Sequence, residues 1–207
     1  MGKKKVFSMI ATLLIGIIPF TSCAQNNKGK EQNMDNKKKL VVYFSRTGEN
    51  YAVGNIKKGN THIIADMIAE EGKCDTFQIV PAVAYPDDYN KCIDVAKKEQ
   101  ESKARPTIKG DVKIEDYDVI FIGYPNWWGD MPMPVYTFIE KHNWQGKTII
   151  AFCTHEGSGL GSTDSKLKAA CQGATMLKGL AVQGFVAQNQ QSKAKENVSA
   201  WLKGLKY

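Results

Sequence analysis

Residues 40–71 read LVVYFSRTGENYAVGNIKKGNTHIIADMIAEE. LVVYFS (40–45) is a continuous apolar run, the pattern of a strand covered on both faces. His62 to Glu71 places Ile64, Met67 and Ile68 on one helical face. Between the two lies a polar turn. Ser45 and Thr47 offer hydroxyls, Gly48 lets the backbone approach closely, and Asn60 or Thr61 can cap the helix. The free N–H groups and the dipole at such a helix start favour a phosphate. The same residues also read as a plain capped helix after a polar loop. A phosphate-cradling turn opens directly into its helix, whereas residues 49–58 intervene here.

Working outward, the pattern repeats. DVIFIGY (118–124) and KTIIAFC (147–153) are further buried strands; Cys74–Val80 is a short one, and LKGLAVQGFV (177–186) is strand-like with glycine interruptions. Helices are expected over 89–104, with Ile93 and Ala96 in its apolar stripe, over 135–142 behind Pro132 and Pro134, and over 162–172. A last helix over 192–205 turns Val198, Trp201, Leu202 and Leu205 inward. Five strands alternating with five helices predict a parallel sheet between two helical layers, joined by right-handed crossovers. In such a sheet ligands sit at the carboxyl ends of the strands, where strand order reverses. The loops after the first, third and fourth strands are therefore the candidates.

The first loop has no lysine after a GxxxxG, which excludes a P-loop nucleotidase, and no GxGxxG dinucleotide fingerprint. The third, YPNWWGDMPMPV (124–135), holds adjacent Trp127 and Trp128, which cannot both point the same way in an extended segment. With Pro125, Gly129, Pro132 and Pro134 around them, they form either a stiff platform for a flat ring or one buried and one exposed tryptophan. The fourth, CTHEGSGLGS (153–162), sets glycines beside Thr154, His155 and Ser158. No GxSxG elbow surrounds Ser158, which argues against hydrolase chemistry.

These three loops on this alternation resemble the flavodoxin-like family, from about Leu40 to the C-terminus, and look closest to a bacterial branch with a Trp-Trp-Gly loop and a Tyr-Pro-x-x-Tyr segment, here residues 85–89. The resemblance implies an α/β three-layer sandwich whose five-stranded parallel sheet runs in the order 2-1-3-4-5, with flavin mononucleotide (FMN) at the switch point. Carried over, Ser45, Thr47, Gly48, Asn60 and Thr61 hold the phosphate. Pro125, Asn126, Trp127, Trp128 and Gly129 flank the isoalloxazine, and Thr154, His155, Gly157, Ser158 and Gly159 cover its other side. The phosphate turn is then split into Ser45-Arg46-Thr47-Gly48 and Gly59-Asn60-Thr61, and residues 49–58 bulge out between the halves. No lysine or arginine is expected around the ring, which implies a low potential for the second electron.

The first 22 residues have a different character. Lys3, Lys4 and Lys5 precede an apolar run, Val6–Phe20, that is short for a bilayer span and suits a signal peptide. Phe-Thr-Ser-Cys (20–23) resembles a bacterial lipobox, which implies lipidation of Cys23 and a membrane-anchored, exported protein. Residues 23–39 form a polar, lysine-rich tether and residues 40–207 the folded domain. The net charge of +7 misleads: from Leu40 onward there are 20 basic and 19 acidic residues, so nothing argues for nucleic acid. The remaining cysteines, Cys74, Cys92, Cys153 and Cys171, form no CxxC pair and are expected as free thiols, and no metal site is expected. Two functions fit: an electron carrier serving a redox partner protein, or an FMN-dependent reductase of quinones or NAD(P)H. A membrane anchor places the chain beside quinones, whereas NAD(P)H is absent outside the cytoplasm.

Overall fold

In the computed structural model the chain divides into two units, Met1–Gln32 and Asn33–Tyr207. The structure describes residues 1–3 and 37–207. The apolar leader, Cys23 and most of the tether lie outside the described residues. No described helix is long and apolar enough to cross a membrane.

The second unit is built on a five-stranded parallel sheet. Its strands are β1 (Lys39–Tyr43), β4 (Asp75–Gln78), β7 (Val119–Pro125), β8 (Thr148–His155) and β9 (Thr175–Gln183). They lie in the order β4-β1-β7-β8-β9, which is 2-1-3-4-5 when the five are counted along the chain. Around it run α1 (Asn60–Gly72), α2 (Tyr89–Glu101), α3 (Met133–Glu140), α4 (Thr163–Ala170), α5 (Gly184–Asn189) and α6 (Gln191–Gly204). Two small antiparallel ribbons complete the fold: β2 (Gly48–Asn50) with β3 (Gly54–Ile56), and β5 (Val80–Pro81) with β6 (Ile108–Lys109).

The period-2 alternation of the central strands separates two cores. Leu40, Val42, Ile120, Ile122, Tyr124, Ile149 and Ala151 face one layer, where Val135, Phe138, Ile139 and Leu167 of α3 and α4 meet them. Val41, Tyr43, Phe121, Ile150 and Phe152 face the other, against Ile64 and Ile68 of α1 and Val198 of α6. β1, β7 and β8 are buried almost throughout because helices cover both sides.

The sequence expectations differ from the structure mainly at the C-terminal end. The strand expected over 177–186 ends at Gln183, and Gly184, Phe185 and Val186 begin α5, giving six α-helices among the described residues where five were expected. Short apolar runs do not distinguish strand from helix, and Val186 and Ala187 bury into the α1 side of the core from a helical turn. β9 is an edge strand with a bulge, in which Lys178 and Gly179 intervene between the partners of Ile150 and Phe152.

Candidate functional site

The two halves of the polar turn come back together. Gly59 is the N-cap of α1, so neither Asn60 nor Thr61 caps the helix, and no side chain takes the cap hydrogen bond. Ser45 Oγ instead accepts from the His62 N–H at 3.1 Å. A Cβ on Gly59 would stand 2.2 Å from Ser45 Oγ and 2.4 Å from the Arg46 carbonyl, so only glycine lets the two segments touch. The backbone N–H groups of Asn60 and Thr61 have no acceptor among the described residues, and the first turn carries no acidic side chain. Open N–H groups at the positive end of a 13-residue helix suit an anion.

Most of the 49–58 insertion belongs to the β2–β3 hairpin (strands Gly48–Asn50 and Gly54–Ile56), and it is docked rather than loose. The Arg46 guanidinium donates to the carbonyls of Glu49, Pro86 (2.7 Å) and Asp87 (2.8 Å). The Glu49 N–H donates to the Asp87 carbonyl at 2.9 Å, and Glu49 Oε2 accepts from the Tyr89 N–H at 3.2 Å. The Tyr51 ring lies 6.1 Å from that of Tyr89, tilted by 31°. The Tyr-Pro-Asp-Asp-Tyr segment is thus the platform on which the hairpin rests.

Loop three turns sharply at the end of β7. Trp127 and Asp130 exchange backbone hydrogen bonds of 2.9 Å, with Trp128 at φ 54° and Gly129 at φ 73° between them. Two positive φ values mark a type I′ turn, a costly place for a bulky residue. Asp130 anchors it: Oδ1 accepts from the Met131 N–H and the Tyr136 hydroxyl, and Oδ2 meets Lys166 Nζ at 2.7 Å. The tryptophans diverge. Trp127 packs edge-on against Phe44 (5.3 Å) and Tyr85 (5.1 Å), while Trp128 is 53% exposed with Lys97 Nζ 5.5 Å from its ring centre.

Loop four is tied to both others. Thr154 Oγ1 is 2.7 Å from Thr61 Oγ1, both buried. Two hydroxyls sharing one bond leave one proton free to donate. Asn126 donates its N–H to the Thr154 carbonyl and its Nδ2 to that of Gly159. His155 Nδ1 accepts from the Gly157 N–H at 2.9 Å, which puts the ring proton on Nε2. Burial pushes the His155 pKa down, so the ring is neutral near pH 7. Burial pushes the Glu156 carboxyl up, opposed by the Phe185 N–H that it accepts.

The three loops, the hairpin and α2 enclose one cleft of about 270 Å³. Of the residues expected from the sequence, Asn60, Pro125, Asn126, Trp127, Trp128, Thr154 and His155 line it. Ser45, Thr47, Gly48, Thr61, Gly129, Gly157, Ser158 and Gly159 belong to the same loops but do not face into it. Gly48 is held close against Asp87, and Ser158 is exposed. Arg46, Asn50, Tyr51, Tyr89, Cys92, Ile93, Ala96 and Glu156 complete the lining. Ile93 and Ala96 read as ordinary core stripe in the sequence, since helical periodicity does not say what a buried face is buried against. Arg46, from the polar turn, also lies on the cleft wall. Burial raises the pKa of every described cysteine, Cys153 and Cys171 to about 12, so none is a reactive thiolate. All four are free, and no described cluster of His, Cys, Asp and Glu is placed to hold a metal.

A doubly wound sheet with a cleft at its 2-1-3 switch point, floored by a helix N-terminus and walled by aromatic rings, defines an α/β protein of the kind that takes a planar phosphorylated cofactor. The chain belongs to the flavodoxin family, whose model matches residues 38–203. It is similar to a protein from Bacteroides eggerthii assigned as a flavoprotein, with 32% identity, 81% of this chain and 97% of that one covered, and a TM-score of 0.65. A protein from Bacteroides uniformis with the same assignment shares 30% identity over 81% of this chain and 98% of its own, also at a TM-score of 0.65. At 22% identity, a Lactobacillus acidophilus flavoprotein in complex with FMN shares the fold, covering 75% of this chain and 99% of that one with a TM-score of 0.56. No curated protein matches significantly.

Proposed function

We propose that this chain is an FMN-binding redox protein that relays electrons. The observation that carries this reading is the reassembled turn. Gly59 pressed onto Ser45 and Arg46 leaves the Asn60 and Thr61 N–H groups open at the start of α1, at one end of a cleft lined by Trp127 and Trp128. The donor set suits a phosphate monoester, held by backbone N–H groups with the hydroxyls of Ser45 and Thr47 close by in the chain. The Trp127–Gly129 turn and Thr154–Gly159 suit the two sides of a flat ring. When bound, FMN supplies the redox chemistry, and the protein supplies placement and electrostatics. The neutral His155, with its proton on Nε2, is a donor on the cleft wall.

From the apolar leader and the Phe-Thr-Ser-Cys motif we separately propose that Cys23 is the lipidated anchor of an exported protein. Cys23→Ser moves the full chain from the membrane to the soluble fraction if it holds; unchanged fractionation refutes it. For the cofactor, the domain from about Asn36 onward is mixed with FMN and desalted. Retained flavin absorbance with quenched fluorescence is expected, and quenching lost on replacing Trp127 and Trp128. Flavin that washes away refutes the reading.

A further inference from the structure

We propose that Glu156 couples cofactor binding to a proton: as a carboxylate it opposes the phosphate, and as a carboxylic acid it helps to hold it. This rests on the FMN reading and adds a control at the phosphate end of that site. Glu156 and Asn60 both line the cleft, and they meet at Gly184, the first residue of α5. A Cβ on Gly184 would stand 2.1 Å from Asn60 Nδ2 and 2.6 Å from Glu156 Oε1. The carboxyl group is therefore beside the first residue of α1, whose open N–H groups are the proposed phosphate donors.

No cation explains a carboxyl group there. Glu156 forms no ion pair among the described residues. Its one hydrogen bond among them runs from the Phe185 N–H to Oε1 at 2.8 Å, which leaves Oε2 without a partner. The other ionisable groups of the cleft wall are Arg46, Tyr51, Tyr89, Cys92 and His155. Arg46 donates to three backbone carbonyls, and His155 is neutral near pH 7. On the α1 side Lys58 and His62 both face Asp66, and α5 carries no ionisable side chain. Asn60 is held in place, because its Oδ1 accepts from Gln188 Nε2 at 2.8 Å, and its Nδ2 is the atom that approaches Gly184 beside Glu156.

A phosphate monoester brings about 1.5–2 negative charges to this spot. Two anions at one helix start disfavour each other, and a proton relieves the conflict. The helix N–H groups favour the charged phosphate, whereas burial already favours the neutral carboxyl, so the proton settles on Glu156. Protonated, Oε2 becomes a donor to a phosphate oxygen while Oε1 keeps accepting from the Phe185 N–H. The proton enters from solvent on binding and returns to it on release. FMN binding therefore weakens as pH rises and Glu156 ionises.

The test titrates the full chain with FMN, and separately with riboflavin, which has no phosphate, by fluorescence between about pH 5.5 and 8. Glu156→Gln keeps an acceptor for the Phe185 N–H and offers a fixed donor in place of the protonated Oε2. The expected result is that Glu156→Gln binds FMN roughly tenfold more tightly than wild type at the high end, with the gap closing at the low end. Riboflavin shows no such gap. Calorimetry near pH 7, in two buffers of different ionisation heat, is expected to show wild type taking up protons with FMN and none with riboflavin. A phosphate drawn to a helix start releases protons on its own account, so uptake reports the protein group, and this arm stands even if the variant fails to fold. FMN binding with no proton uptake, or with a gap that is absent or the same at every pH, overturns the coupling and leaves the flavin reading intact. FMN that binds at no pH overturns the flavin reading and the coupling with it.

Discussion

Gly59 is the residue on which the site turns. Its absent side chain lets Ser45 reach the His62 N–H, and Gly59→Ala would force Ser45 and Arg46 away. The overpacking costs about 1–3 kcal/mol. We expect a folded protein by circular dichroism that no longer retains FMN. Trp128 behaves in the opposite way. Its φ of 54° stores left-handed strain worth roughly 1–2 kcal/mol that glycine would release. Because its ring is largely exposed, Trp128→Gly should melt close to wild type while binding flavin at least tenfold more weakly, measured by fluorescence titration. A melting temperature many degrees lower would show that Trp128 is a packing residue after all.

At the level of elements, the hairpin is an addition to a complete cofactor turn. Its strands pair only with each other, and Gly48 and Ile56 already lie opposite one another at its base. Replacing residues 49–57 by a short glycine linker should therefore preserve the parallel sheet and FMN retention. The same deletion removes Tyr51 and the contacts that Arg46 and Glu49 make to residues 86–89. Loss of FMN binding in the deletion would show that the hairpin also supports the phosphate end. α2 is legible in the sequence as an amphipathic helix, but its role as a cleft wall is not. Cys92 and Ala96 are buried as any core stripe would be, and only the neighbouring hairpin and loop three turn that face into a lining.

Over the whole molecule, the sheet carries stability, and His62 and His155 contribute to its pH dependence. Phe152 is fully buried, and its ring lies where a Cβ of Gly123 would be, so Phe152→Ala should cost about 3–5 kcal/mol in denaturant melts. Burial lowers the pKa of both His62 and His155 below the ordinary 6.5. The unfolded chain then binds more protons between the folded value and 6.5. The stability these histidines permit is complete above 6.5 and falls as pH drops through that window. Glu99 and Glu156, raised mainly by burial, act with the opposite sign, favouring the fold at low pH and losing that contribution as pH rises from 4.5. The difference in melting temperature between wild type and His62→Gln/His155→Gln should therefore shift against wild type as pH drops from 7 toward 5.5. A difference that does not change with pH would show that neither ring is buried in its neutral form.

The apolar runs 40–45, 118–124 and 147–153, alternating with helical periods, determine the parallel sheet, whereas its order was implied only by the family resemblance and is fixed by which strands pair in three dimensions. Such strands are buried on both faces whatever their neighbours, so their pattern is local and readable. Part of the split turn was readable too: Ser45 and Thr61 could be picked out because their chemistry follows from residue type, whereas the joining of the two halves through Gly59 was implied only by the family resemblance. What lines the cleft was decided in three dimensions. Arg46 could have pointed anywhere until it met the carbonyls of Pro86 and Asp87, and Tyr51 has a partner only because residues 85–89 fold back beneath it. Thr61 meets Thr154 across 93 positions of chain, a contact that no local pattern encodes. Residue types fix what a side chain can do, whereas packing of distant segments fixes what it touches.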